Sequence, residues 1–375
     1  MIHIIFIIIS VLFFFYGILL LVPGFVFAFS KKDTALDFIP KTFVSILVPV
    51  RNEEDTIVEC LKSLSMQDYP KEKFEIILIN DHSTDKTKEI AERFAKDFSQ
   101  LKVMDNLPQS LGKKSALTLG VNAARGELIA TTDGDCIIPS KWLNKIVKVY
   151  QEDNAVFIAG PVAYKRQGGI FRHLLQIEQI VLQLISGGAM KMGFPLMCSG
   201  ANLAYRKDFF MACGGYENDI FASGDDMMLM LKAQKKYPGK QKFISDPEAI
   251  VLTKSADGFA EAIQQRSRWI SKFSTYKNLW ITGTGIVVIM SNLFVVFLGI
   301  FSLCKHMFVD PFIWAFVLKM LIDLLLLSLA VPFFREPRLF LFALLEELFY
   351  PFLAICAAIA RLSGSFSWKG RDWKT

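Results

Sequence analysis

Two hydrophobic rhythms divide this chain into three parts. Residues 2–29 carry no charge apart from His3 and exceed the ~20 residues a helix needs to cross hydrocarbon, so they predict a spanning helix. Three further apolar runs, 284–303, 311–334 and 339–360, lie near the end at about the same length. Between them the pattern changes. Short β-rich runs at 43–48, 74–79, 127–131 and 155–159 alternate with stretches of helical period such as 53–64 and 85–94. Such alternation predicts an α/β fold, a mostly parallel sheet covered by helices. The expected organisation is an N-terminal transmembrane helix over 1–29, a middle region over 30–283, and an apolar region of two to three spans with a basic tail over 284–375. Within the middle region, residues 168–194 set Ile170, Leu174, Ile177 and Val181 at helical spacing, which fits a helix on a membrane surface or one packed on the domain.

Composition sharpens that division. With 53% hydrophobic residues and 34 Phe, the chain holds more apolar material than one soluble core of this size needs. The first run has neither the charged start nor the small-residue end of a cleavable signal peptide, so it reads as an uncleaved anchor. Lys31 and Lys32 after it, Arg268, Lys272 and Lys277 before the second span, and Arg335 and Arg338 before the last run place the middle region in the cytoplasm by the positive-inside rule. A fourth full crossing would export Arg361, Lys369, Arg371 and Lys374 against that rule, and Glu346, Glu347 and Pro351 interrupt the run itself. A kinked crossing and an interfacial helix both stay open there. The charge of +6 clusters mainly beside apolar segments, which argues against a nucleic-acid partner. Six cysteines make no CxxC pair and no zinc spacing, and read as reduced, mostly buried residues.

Open α/β sheets bind ligands beyond the carboxyl ends of their strands, and there this sequence turns polar. After 43–48 comes Pro49-Val50-Arg51-Asn52-Glu53-Glu54, after 74–79 Asn80-Asp81-His82-Ser83-Thr84-Asp85, and after 127–131 Thr132-Asp133-Gly134-Asp135. Three acidic clusters are thus expected on one edge. Asp133 and Asp135, separated by one small residue, suit magnesium or manganese shared with substrate phosphates, although an ordinary acidic turn has the same composition. Asp81 is placed to accept from the edge of a nucleotide base, while Ser83, Thr84 and Asp85 also fit a helix cap. Leu111-Gly112-Lys113-Lys114 sets two cations at a helix start, where anions are favoured. It lacks the earlier glycine of a P-loop, and a solvated basic helix start has the same look. Ser223-Gly224-Asp225-Asp226 puts like charges side by side at a helix N-terminus, where repulsion is expected to raise one pKa and yield a general base; a plain cap is the alternative. Gln265-Arg266-Ser267-Arg268-Trp269 joins cations that can neutralise pyrophosphate to a ring that can stack on a sugar, or forms an interfacial belt.

Together these strings resemble the family 2 glycosyltransferases, enzymes of GT-A fold that include cellulose-, hyaluronan- and ceramide-type membrane members. The likeness runs from about Val44 to Trp269. Pro49 to Glu53 is similar to the family's Pro-x-x-Asn-Glu start, Asp81 to Asp85 to its Asp-x-Ser-Thr-Asp segment, Asp133 to Asp135 to its DxD, and Gln265, Arg268 and Trp269 to its Gln-x-x-Arg-Trp motif. The resemblance implies a GT-A sheet with flanking helices and transmembrane helices at both ends. It implies that Pro49, Arg51, Glu53, Asp81, Asp85, Lys113 and Asp133 line a nucleotide-diphosphate sugar, joined by Gln265, Arg268 and Trp269. Asp135 with Asp133 would hold Mg2+ or Mn2+, and Asp226, beside Asp225, would be the base in an inverting transfer to an acceptor hydroxyl. Two departures stand out. Asp225 occupies a position where many members have Glu, and the tail has few spans, which favours single transfer over processive polysaccharide synthesis. The ending Trp368-Lys369-Gly370-Arg371 resembles bacterial members acting on lipids, which implies a lipid acceptor and a bacterial inner-membrane protein with its catalytic domain in the cytoplasm. The contrasting class is a catalytically silent membrane scaffold that binds a nucleotide-sugar; intact carboxylates argue against it.

Overall fold

The computed structural model describes residues 2–30, 39–109, 112–216, 224–271, 276, 278–362, 365–368 and 371–374. Lys31, Lys32, Leu111, Ser223, Lys272, Lys277, Lys369 and Gly370 of the expected motifs lie outside the described residues. The chain begins with α1 (Ile2–Phe29). The alternating region gives β1 (Val44–Val50), α2 (Ile57–Ser65), β2 (Phe74–Asn80), α3 (Thr87–Ala95), β3 (Leu101–Asp105), α4 (Lys113–Ala123), β4 (Leu128–Thr131) and α5 (Trp142–Asp153). Then follow β5 (Phe157–Ala159), β6 (Val162–Tyr164), α6 (Ile170–Lys191), β7 (Leu203–Arg206), α7 (Lys207–Ala212), α8 (Asp225–Lys236), β8 (Gln241–Phe243), β9 (Val251–Thr253) and α9 (Phe259–Ile270). Three long helices, α10 (Leu279–Cys304), α11 (Val309–Phe334) and α12 (Ala343–Leu362), precede the paired strands β10 (Ser365–Trp368) and β11 (Arg371–Lys374).

Contacts group these elements into two units, one of residues 30–165 and 197–254, the other of residues 1–29, 166–196 and 255–375. The first is a seven-stranded sheet in the order β3-β2-β1-β4-β7-β5-β8, with β6 and β9 paired beside it. β1, β2, β3 and β4 are parallel, but β7 runs antiparallel to both β4 and β5, so the sheet is mixed. β1 is apolar almost throughout because both faces are covered, as in parallel sheets flanked by helices. Its Pro49 lies beyond Leu47, the last residue paired to β4, where the missing amide interrupts no bond to that neighbour. Since β1, β2 and β4 are adjacent and parallel, the three polar strings after them emerge along one edge. The helix expected from Glu53 starts only at Ile57, because the Glu53 carbonyl first accepts the amides of Thr56 and Ile57 in a turn.

The second unit packs α6 against α1, α11 and α12, and α9 against α12. Residues 166–196 and 255–283, assigned on sequence grounds to the middle region, therefore group with the apolar helices, since the buried faces of α6 and α9 are spent on them. Small residues allow the close approach. A Cβ on Gly188 of α6 would fall 1.8 Å from the Pro23 carbonyl oxygen of α1, and one on Gly24 would fall 3.0 Å from Leu326 of α11. Among the described residues, four helical stretches, Ile2–Phe29, Leu279–Cys304, His306–Phe334 and Pro337–Arg361, are long and apolar enough to cross a membrane. The last begins with a 3-10 segment, Pro337–Phe342, and α12 then continues through Pro351 without a break. Glu347 finds the polar partner its position demands: Lys319 of α11, completely buried, donates to it at 2.8 Å and to Asp323 at 2.7 Å, while Tyr16 of α1 donates to Asp323 at 2.7 Å. Of the six cysteines, all free, three are buried, two half-buried and Cys304 exposed.

Candidate active site

The loops after β1 and β2 are locked together by side chains reaching across to backbone. Arg51 donates through Nη1 to the carbonyls of Asp81 and His82 at 2.9 and 2.8 Å. Asn52 and His82 both take left-handed backbone, with φ of 51° and 57°, a conformation uncommon outside glycine. Asn52 repays that through its Oδ1, which accepts from the Thr84 amide at 2.9 Å. The Glu53 amide donates to Thr87 Oγ1 at 2.7 Å, and the Glu53 carboxylate accepts from the Thr56 hydroxyl at 2.9 Å. Asp85 accepts from the amide and hydroxyl of Thr87 at 3.0 and 2.5 Å and from the Glu54 amide at 3.1 Å. Burial opposes its ionisation, but those donors outweigh it and hold the Asp85 carboxyl below its ordinary range. Asp85 thus ties the first residue of α3 to the β1 loop, while the cap position itself is Lys86, which makes no side-chain cap bond.

Asp81 is buried at the end of β2, and it draws in two elements that lie well beyond it in the chain. Its carboxylate accepts from Asn106 Nδ2 at 2.9 Å and from the Gly112 amide at 3.2 and 3.1 Å. Asn106 follows β3 and also donates to the Ser115 hydroxyl at 2.7 Å. Gly112, with φ of 97°, stands immediately before Lys113, so Asp81 fixes the start of α4 and with it the lysine.

Lys113 is the charge centre of the site. Its Nζ lies 2.6 Å from Asp133 and 3.9 Å from Asp225. Burial works against the ammonium, but Asp133 and Asp225, then Asp226, outweigh it and keep the lysine charged well above its ordinary range. Gly200 makes the approach possible: a Cβ there would fall 2.8 Å from Lys113 Nζ and 3.5 Å from Asp225 Oδ2. The Gly200 amide donates to Asp226 Oδ2 at 3.1 Å, and its carbonyl accepts from Thr131 of β4 at 3.0 Å. Asp225 is buried toward the lysine, while Asp226, at the first turn of α8, is half-buried. Three sequence strings, 112–114, 133–135 and 224–226, thus meet around one cation, and Gly200, to which no expectation attached, holds them together. Its signal was the small polar run Ser199-Gly200-Ala201-Asn202 amid apolar neighbours.

The acidic turn after β4 is equally constrained. A Cβ on Gly134 would fall 2.8 Å from Val50 and 3.2 Å from Glu53, so only glycine fits between the two carboxylates. Asp133 is taken by Lys113, whereas Asp135 Oδ2 accepts from Thr253 at 3.3 Å. Burial, then Asp135 and Asp133, push the thiol of Cys60 up, which keeps it protonated and inert beside this turn. Among the described residues no group of three or more His, Cys, Asp and Glu is arranged to hold a metal. One or two hard carboxylates at a strand end nonetheless fit magnesium or manganese, ions that share such ligands with substrate phosphates. Gln265, Arg268 and Trp269 belong to α9, in the other unit.

Residues 45–214 match the family described as Glycosyl transferase family 2. Among curated proteins, the glycosyltransferase AglE of Haloferax volcanii is 27% identical over 191 residues, 49% of this chain and 59% of the relative. The beta-monoglucosyldiacylglycerol synthase of Nostoc sp. is 28% identical over 252 residues, 64% of this chain and 50% of the relative. An undecaprenyl-phosphate 4-deoxy-4-formamido-L-arabinose transferase of Edwardsiella ictaluri is 31% identical over 137 residues, 36% of this chain and 42% of the relative. The matched regions thus span 42% to 59% of these relatives' lengths. Among solved structures, a mannosyltransferase from Pyrobaculum calidifontis, in complex with GDP-Man and Mn2+, superposes with a TM-score of 0.63 at 17% identity over 96% of this chain and 99% of the other, a likeness of fold.

Proposed function

Taking as premise that residues 45–214 are a family 2 glycosyl transferase domain on a GT-A fold, we propose that the chain transfers a sugar from a nucleotide-diphosphate donor to an acceptor hydroxyl, with inversion at the anomeric carbon. The observation that carries this reading is the arrangement around Lys113. One half-buried ammonium lies 2.6 Å from Asp133 and 3.9 Å from Asp225, and Asp226, held by the Gly200 amide, is more exposed than Asp225 beside it. In this reading Asp226 accepts the proton of the acceptor hydroxyl as its oxygen attacks in line. Asp225 is the counter-charge that holds Lys113, and the lysine balances negative charge on the donor phosphates. Arg51, Glu53, Asp81 and Asp85 shape the loops that receive the nucleotide, with Pro49 ending the strand beneath them. A divalent cation held by Asp135 supplies charge neutralisation for the departing diphosphate. Gln265, Arg268 and Trp269 serve the diphosphate and the sugar face.

The acceptor in this reading is a lipid and the protein sits in a bacterial inner membrane with its catalytic domain on the cytoplasmic side. Four spanning-length helices and relatives named for diacylglycerol and undecaprenyl-phosphate chemistry support it, as does the placement of basic residues beside the apolar segments. Few spans favour one transfer per acceptor over chain extension. The test is Asp226→Asn in the full chain, a near-isosteric change that removes the base. Transfer should drop by about 10² or more with the melting temperature unchanged, and full transfer by the folded variant would overturn the assignment. Chain length of the product separates single transfer from processive synthesis.

A further inference from the structure

Arg266 stands inside the Gln265-to-Trp269 string, between the residues that the proposed reaction uses. Its side chain is nearly dry, at 6% exposure, and its donors are shared out in an instructive way. Nε donates to both carboxylate oxygens of Glu178 on α6, at 3.1 and 2.9 Å, and Nη2 donates to Glu178 as well. Nη1 donates to the Ala262 carbonyl one turn back at 3.3 Å and to the side-chain oxygen of Gln265 at 3.2 Å. The guanidinium carbon lies 5.5 Å from the centre of the Trp269 ring. One planar cation, anchored to a neighbouring helix, therefore touches both Gln265 and Trp269.

We propose that the Glu178–Arg266 pair is a positioning device, setting the side chains of Gln265 and Trp269 for the transfer reaction; this rests on the glycosyl-transfer reading above. A pair that only tied α6 to α9 would need the Glu178 contact alone. Gln265 and Trp269 sit at i−1 and i+3 from Arg266, and the guanidinium reaches the amide oxygen of one and the ring of the other. The guanidinium supplies what a point charge cannot: a rigid fork for the carboxylate, a further donor for the amide oxygen, and a flat face for the indole. Glu178 in turn fixes the plane of the fork, because a bidentate partner removes its rotational freedom.

The experiment uses the full chain in detergent, with Arg266→Lys and Glu178→Gln, each made alone and combined with Trp269→Phe. Two readouts are taken: turnover of donor and acceptor, and the emission of Trp269, obtained as the difference between each parent and its Trp269→Phe partner. We expect kcat to fall roughly tenfold in each single variant, the loss to shrink to about twofold in the Trp269→Phe background, and the Trp269 emission to shift. The same fold-loss with and without Trp269, or an unchanged emission, overturns the proposal. Glu178→Gln keeps a hydrogen-bonding side chain and serves if Arg266→Lys does not fold. If the wild type transfers no sugar from any donor while the emission still shifts, the positioning contact stands and the transfer reading falls.

Discussion

Gly200→Ala isolates the charge centre of the site from the fold around it. Gly200 does not use positive φ, so alanine meets no backbone penalty there. The obstacle is one atom, Lys113 Nζ, 2.8 Å from where the new Cβ would lie. To reach the 3.4 Å of ordinary contact it must retreat by about 0.6 Å, which the flexible lysine can do at little cost to folding. The same movement disturbs the 2.6 Å contact to Asp133 and the 3.9 Å contact to Asp225. Misplacement by about 1 Å in a catalytic constellation can cost about 10²-fold, so a shift of this size should cost roughly tenfold in turnover. The assay is release of nucleoside diphosphate by wild type and Gly200→Ala, alongside their melting curves. Wild-type turnover in the variant would show that the position of Lys113 does not matter and would refute the reasoning. A large drop in melting temperature would refute the claim that only the lysine stands in the way.

Three further outcomes follow from the geometry. Lys319→Met leaves Asp323 and Glu347 facing each other without their cation, and should cost about 3 kcal/mol, read as a clear fall in melting temperature in detergent that Glu347→Gln in the same chain partly restores. Gly188→Ala drives a methyl into the Pro23 carbonyl oxygen at 1.8 Å and should destabilise by about 3 kcal/mol, whereas Gly193→Ala at the open end of α6 meets no atom and bears only its backbone cost at φ 82°. Because the Asp85 carboxyl is held below its ordinary 3.8, its contribution to stability is present above that pH and is lost as pH falls through the lower folded value. The melting-temperature gap between wild type and Asp85→Asn should therefore be full well above pH 3.8 and narrow steadily as pH falls below it.

What the sequence made legible was local. The runs that became β1, β2 and β4 were readable because continuous apolar residues end abruptly in acidic strings, and their convergence on one edge followed from parallel order alone. The partners of those acids were not readable. Asp81 meets Asn106 and Gly112, 25 and 31 residues away, and Asp226 meets Gly200, 26 residues away, through a sheet order that periodicity does not encode. β3 escaped notice because it is a half-exposed edge strand with charged residues at two of its five positions, and β6 to β9, three or four residues each, are too short to carry a period, whereas the run 155–159 became β5. Similarly, Glu346 and Glu347 raised doubt about the last span because the cation that answers Glu347 lies on another helix, although Lys319 and Asp323, four residues apart inside an apolar run, were a signal in their own right. The grouping of α6 and α9 with the apolar helices was hidden for a related reason: an amphipathic face looks the same whether it meets a sheet or a long apolar helix.

The measurement that bears most directly on glycosyl transfer is release of nucleoside diphosphate from a panel of nucleotide-sugars by the full chain in detergent with a total lipid extract, with magnesium or manganese, comparing wild type and Asp135→Ala. The expected result is consumption of one donor, transfer of its sugar to a lipid, and loss of both in the variant. A well-folded wild type that neither binds nor consumes any donor would contradict the enzyme reading and leave a silent scaffold in its place.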